Sequence, residues 1–167
     1  DIDGEASDDR SGISVSLSSD GTIVAIGAHR NGNDSGHVRI YQYANNSWSQ
    51  LGQDIDGEGS ANFSGTSVSL SSDGTIVAIG APKATYNRGH VRVFEYINGS
   101  WSQLGSDIDG EDTYDRSGNS VSLSADGTIV AIGAPNNDGN GTSSGHVRVY
   151  QRDTNALIGW TQIGSDI

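Results

Sequence analysis

The stretch Ser67-Val-Ser-Leu-Ser-Ser-Asp-Gly-Thr-Ile-Val-Ala-Ile-Gly-Ala-Pro82 decides how this chain is read. Val68 and Leu70 alternate with serines, the period-two pattern of a half-buried strand. Thr75 to Ala81 is apolar almost throughout, which predicts a strand covered on both faces. Asp73-Gly74 lies between them, and both residue types tolerate the positive φ of a tight turn, so the whole stretch predicts a β-hairpin. The same pattern occurs at 14–29, with His29 in place of the proline, and at 120–135.

Asp-Ile-Asp-Gly-Glu begins at positions 1, 54 and 107, an interval of 53 residues, and a further Asp-Ile stands at 166–167. The chain therefore divides into units 1–53, 54–106 and 107–167, the last including the start of a next repeat. Each unit predicts four strands. In the second they are Ser67–Ser71, Thr75–Ala81, His90–Tyr96 with alternating Val91 and Val93, and Ser100–Leu104 around Trp101, with Asn98-Gly99 as the last turn. The third unit is longer between Pro135 and Gly145 and between Asp153 and Gly159, which marks both as loops, because strands lose register on insertion.

Four antiparallel strands repeating every fifty-odd residues predict an all-β fold of β-propeller blades. A single four-stranded sheet cannot bury both faces, so each blade needs neighbours. Three blades fall short of the usual four to eight. The array is an incomplete propeller unless it oligomerises or belongs to a longer chain. The start at Asp1 rather than Met suits a trimmed or excised form of a longer product.

The 167 residues include no Cys and no Met and carry a formal net charge of -12. So acidic a surface argues against nucleic acid and anionic membranes and favours cationic partners or divalent ions. The absence of Cys excludes disulfides and thiolate metal sites, and no apolar run reaches the length of a membrane span.

Ser11-Gly12, Asp20-Gly-Thr-Ile-Val-Ala-Ile-Gly-Ala28 and Gly36-His-Val-Arg-Ile-Tyr41, with Ile79-Gly-Ala-Pro82 and Ile132-Gly-Ala-Pro135, resemble the FG-GAP repeat of integrin α-type propellers, in three tandem copies. The resemblance implies an extracellular or cell-surface setting and adhesion. The sequence departs in carrying Ser-Gly (11–12, 64–65, 117–118) where the family has Phe-Gly. It departs again in the connection between the first two strands, which is too short and too poor in carboxylates for the six to eight oxygens of calcium. The family's calcium sites are therefore not carried over.

Other residues invite chemistry. Asp54, Asp56 and Glu58, like Asp107, Asp109 and Glu111, place carboxylates at alternate positions, a pattern that offers calcium ligands. The competing reading is a polar turn between blades. His37, His90 and His146 recur at the start of strand three, followed by Arg39, Arg92 and Arg148. Their expected roles are contact with a neighbouring loop and inter-blade ion pairing. Trp48, Trp101 and Trp160 open strand four, either covering a blade edge or stacking on sugar rings. Sequons at Asn33, Asn45, Asn62, Asn98 and Asn140 are candidate N-glycosylation sites.

No nucleophile, base and orienting group recur together, so no enzyme is expected. The framework is nearly constant while the loops after strand two vary, and repeat scaffolds carry function on such loops. His29, Arg30, Lys83, Tyr86, Arg88, Asn136, Asn137 and Asp138 are the expected contact surface for a protein partner. The first expectation is thus an extracellular adhesion or assembly module without a cofactor, calcium being the alternative to none. A carbohydrate-binding propeller and a structural subunit assembling through open blade edges, with further copies of the repeat as partners, are the others.

Overall fold

The computed structural model describes residues 1–153 and 159–167. Part of the predicted loop at 153–159 lies outside the described residues. The fold is all-β, with three antiparallel sheets that form consecutive blades of an incomplete propeller.

The first sheet contains β1 (Ser14–Leu17), β2 (Ile23–Ala28), β3 (His37–Ala44) and β4 (Ser47–Gln50), in that order. The second contains β6 (Ser67–Leu70), β7 (Ile76–Ala81), β8 (His90–Ile97) and β9 (Ser100–Gln103). The third contains β11 (Ser120–Leu123), β12 (Ile129–Ala134), β13 (His146–Arg152) and β14 (Trp160–Gln162). β6 packs against both β1 and β11, so the first strands of the three sheets lie innermost.

Two short strands shift the blade boundary away from the sequence unit. β5 (Ile55–Asp56) pairs with β3, and β10 (Ile108–Asp109) pairs with β8. Ile167 exchanges two backbone hydrogen bonds with Val147 in the same way, at 3.0 and 3.1 Å. The Asp-Ile-Asp openings of the second and third units, and the Asp-Ile at 166–167, therefore belong to the sheet before them, and the unit limits at 54 and 107 fall inside blades. The physical reason is the unpaired edge that the third strand leaves when the fourth covers only its far half, Tyr41–Ala44 or Phe94–Ile97.

The hairpin turn also differs in detail. Asp20, Asp73 and Asp126 do not take positive φ; only the following glycines do, at +72°, +73° and +71°. Gly21 N–H donates to Ser18 C=O and Ser18 N–H to Ile23 C=O, so the connection is a four-residue turn closed by a left-handed glycine rather than a two-residue one. In contrast, Asn45-Asn46 and Asn98-Gly99 both take positive φ at each residue, the two-residue hairpin turn that the sequence predicts.

The core lies between blades. Ile23, Ala25, Val38, Ile40 and Ile55 pack against Val68, Leu70, Val77, Ile79, Phe94 and Trp101. Ile76, Ala78, Val91, Val93 and Ile108 pack in the same way against Val130, Ile132, Tyr150 and Trp160. β7 is buried at every position because it has a blade on both sides, whereas β2 and β12 each keep a partly open face. No helix among the described residues is long and apolar enough to cross a membrane.

Candidate functional site

Where the innermost strands begin, a cleft of about 180 Å³ draws on all three blades. The end of β2 supplies His29 and Arg30. The second blade supplies Phe63, Thr66, Pro82 and Lys83, and the third supplies Arg116 and Asn119. Phe63 is buried and forms the floor. His29 meets its ring edge-on at 5.3 Å between centroids, and the Lys83 ammonium stands 3.9 Å above it.

A cation over an aromatic face is held by the ring quadrupole, which leaves the Lys83 charge available on its outer side. Burial holds the His29 pKa below its ordinary value, and Arg10 and Arg30 push it further down, so the imidazole is neutral at pH 7. Among the described residues no carboxylate lies within 4 Å of Lys83 or Arg116, while Arg30 has only Asp34, at 4.0 Å. On a chain of net charge -12 the cleft is a local positive site.

The expected contact residues do not all meet there. His29, Arg30 and Lys83 do. Tyr86 is exposed on a left-handed turn, with φ of +47°, +58° and +61° at Thr85, Tyr86 and Asn87. Arg88 is half-buried beyond that turn, where its Cγ abuts the position of Gly110. Asn137 is corrected: it is buried, its Nδ2 donates to Asp115 Oδ2 at 2.9 Å, and its Oδ1 accepts from Gly139 N–H, so it builds the loop instead of facing a partner. Asn136 is half-buried and Asp138 is exposed, with its Oδ1 accepting from Ser143 N–H. The candidate glycosylation residues Asn33, Asn45, Asn98 and Asn140 are exposed and Asn62 is half-buried.

The carboxylates group differently from the sequence expectation. Asp54, Asp56 and Glu58 do not converge on one point, nor do Asp107, Asp109 and Glu111. Instead a glutamate of one unit and an aspartate from the opening of the next flank a histidine, buried at positions 37 and 90 and half-buried at 146: Glu5–His37–Asp54, Glu58–His90–Asp107 and Glu111–His146–Asp166. His37 Nδ1 lies 3.7 Å from Glu5 and 3.8 Å from Asp54, and His90 Nδ1 lies 3.6 Å from Asp107. Asp56 and Asp109 contribute backbone carbonyls, which accept from Arg92 at 2.6 Å and Arg148 at 2.7 Å.

One imidazole nitrogen and two carboxylates suit a divalent transition ion better than calcium, which prefers an all-oxygen shell. The same glutamates also meet guanidinium groups, Arg39 at 3.5 Å and Arg92 at 3.6 Å, which already neutralise much of their charge. Burial holds the His90 pKa below its ordinary value, against the opposing pull of Asp107. As they stand, these clusters tie the opening of one unit to the blade beside it.

The Asp-Gly turns do not fit the calcium that FG-GAP likeness suggests. Asp73 Oδ1 accepts from Ser71 Oγ, Thr75 N–H and Thr75 Oγ1, at 2.7, 3.0 and 2.8 Å. That oxygen is taken up by its own hairpin. The same bonds hold Asp20 and Asp73 below the usual carboxylate range and bring Asp126 down to about 2.

The tryptophans divide. Trp101 and Trp160 are buried, and each donates Nε1–H to a carbonyl of the preceding blade, Leu51 and Leu104, both at 2.8 Å. Neither presents a free face for a sugar ring, which corrects the carbohydrate expectation for two of the three positions; Trp48 is partly exposed.

The FG-GAP repeat is matched by residues 107–150, within the third unit. No curated protein matches the sequence. Similar solved structures are propeller-type folds. A proposed 6-phosphogluconolactonase of Bacteroides uniformis is 17% identical with a TM-score of 0.63, over 92% of this chain and 39% of that one. Sqt1 of Saccharomyces cerevisiae is 16% identical with a TM-score of 0.59, over 95% and 36%. A Lactobacillus plantarum protein is 17% identical with a TM-score of 0.57, over 90% and 40%. The chain thus spans well under half the length of these structures, and at such identities the likeness concerns the fold alone.

Proposed function

We propose that this chain is a non-enzymatic β-propeller module that binds an acidic segment of a protein partner in the cleft around Phe63. The observation that carries the proposal is the convergence of Arg30, Lys83 and Arg116 from three blades onto one aromatic floor, in a chain otherwise strongly acidic. An aspartate or glutamate entering the cleft gains charge-assisted hydrogen bonds to Lys83 and Arg116, which have no carboxylate within 4 Å among the described residues, and to Arg30, whose one carboxylate neighbour, Asp34, stands at 4.0 Å. A protein with this charge distribution rejects acidic partners everywhere else by long-range repulsion, which makes the cleft selective as well as attractive. Adhesion at an extracellular or cell surface belongs to the same reading and is supported by the FG-GAP likeness.

Isothermal titration with hexaglutamate and, as control, hexalysine tests the proposal at low salt. Binding of hexaglutamate that falls about tenfold or more in Lys83→Glu and Arg116→Glu, and weakens with salt, is expected. Undiminished binding in both charge reversals, or no binding by the unaltered chain, overturns it.

A further inference from the structure

The two inter-blade interfaces are one interface used twice. A Cβ at Gly27 would overlap the Gly65 carbonyl oxygen, and a Cβ at Gly80 would overlap that of Gly118. Ser14 Oγ donates to Gly65 C=O at 2.7 Å, and Ser67 Oγ to Gly118 C=O at 2.8 Å. Ser16 Oγ accepts Leu70 N–H, and Ser69 Oγ accepts Leu123 N–H. The tryptophan bonds repeat in step.

On the outer sides of the array the same groups stand without their counterparts. Among the described residues, Ser120 Oγ, Ser122 Oγ and Trp48 Nε1 have no hydrogen-bond partner. The only close atom a Cβ on Gly133 would meet is the Ser120 hydroxyl, which can rotate away. Val15 and Trp48 of the first sheet are 63% and 38% exposed, whereas the equivalent Val68 and Trp101 are 8% and 4% exposed. At the other end β12 keeps a partly open face, whereas the equivalent β7 is buried at every position. Val147 and Ile163 are also exposed.

We propose that these two outer faces dock on each other head to tail, the occupant of each being a blade of this same repeat, supplied in solution by a second copy of this chain. The Gly12 carbonyl of one copy seats on Gly133 of the other and accepts from Ser120 Oγ. Trp48 covers Ile163 as Trp101 covers Leu51. The contact is heterologous, since the two faces differ, so it closes into a ring or propagates. The proposal continues an interface already made twice within the chain and does not depend on the Phe63 cleft.

The test is mass in solution, by light scattering and sedimentation, up to ~100 µM chain. Twice the 17.4 kDa chain mass, or a concentration-dependent series of higher masses, is expected. Gly133→Ala on one face and Trp48→Lys on the other should each weaken association at least about tenfold. Their far-UV circular dichroism should stay that of the unaltered chain. Mixing the two variants restores a heterodimer, because each retains the face the other lacks. A monomer throughout the concentration range overturns the proposal. So does association that both variants leave intact, which would place the contact elsewhere, or failure of the mixture to associate.

Discussion

Three tryptophans at one sequence position, in three different surroundings, allow a sharp test of how this array is held together. Trp101 is buried between the first and second blades and donates to Leu51 C=O at 2.8 Å; its backbone N–H and C=O are both bonded to the Gln53 amide. Trp101→Ala removes the largest side chain of that interface and leaves a cavity, a change that costs about 3–5 kcal/mol. Trp101→Phe keeps most of the ring but strands the Leu51 carbonyl, at about 1–3 kcal/mol. Trp48 sits in the first sheet, packs on Tyr43 at 5.2 Å between centroids and has no blade beyond it. For Trp48→Phe the expected cost is within about 0.5 kcal/mol, the ordinary range for surface positions. Urea unfolding of the four proteins, all in a Gly133→Ala background and at low concentration so that the outer face stays uncovered, gives the midpoints. The reasoning is refuted if Trp48→Phe shifts the midpoint as far as Trp101→Phe, since exposure and hydrogen bonding would then not separate equivalent positions.

Two further outcomes follow from the same geometry. Arg92 is buried and donates to the Asp56 carbonyl of the neighbouring sheet at 2.6 Å, so Arg92→Gln should destabilise by roughly 2 kcal/mol in urea titration, the range for a charge-assisted bond; an unchanged midpoint would remove this inter-blade tie. The Asp126 carboxyl is held down to about 2 by Ser124 and Thr128, below its unfolded value of 3.8. Its contribution is therefore complete above pH 4 and lost as pH falls towards 2. Melting temperatures measured from pH 5 to 2 should fall less steeply in Asp126→Asn than in the unaltered chain.

Much of the fold is legible because each strand obeys local rules. Alternating serines and apolar residues, the turn glycines and the repeat interval all point to the same four-stranded unit. β5 and β10 are not legible locally, because Asp-Ile-Asp reads as a polar connection and its partner strand lies in the preceding unit. Their pairing depends on an edge that only the assembled sheet exposes. The same crossing of units explains the carboxylates. Glu58 and Asp54 look like neighbours in sequence, yet Asp54 is carried back to His37 while Glu58 moves forward to His90. The left-handed turn at Thr85 was equally hidden, since threonine rarely takes positive φ.

The cleft was half legible. His29 and Lys83 belong to the variable loop, but Phe63, Thr66, Arg116 and Asn119 lie in connections that read as framework. A signal was present in the comparison of units: Phe63 stands where the other two units have Arg10 and Arg116, and His29 where they have proline.

These substitutions occupy positions that the inter-blade contacts bring together, which explains why the framework varies so little around them. Gly27 against Gly65 and Gly80 against Gly118 are backbone-on-backbone contacts that admit no side chain, so neighbouring blades approach to one fixed distance. A cleft assembled from three blades inherits that fixity. Exchanging one residue at its rim changes the chemistry without moving the walls, whereas any residue larger than glycine in the interface would move the walls themselves. The constant hairpins and the varied cleft are thus two consequences of one packing solution: the scaffold is repeated so that a few unrepeated residues meet in a defined place.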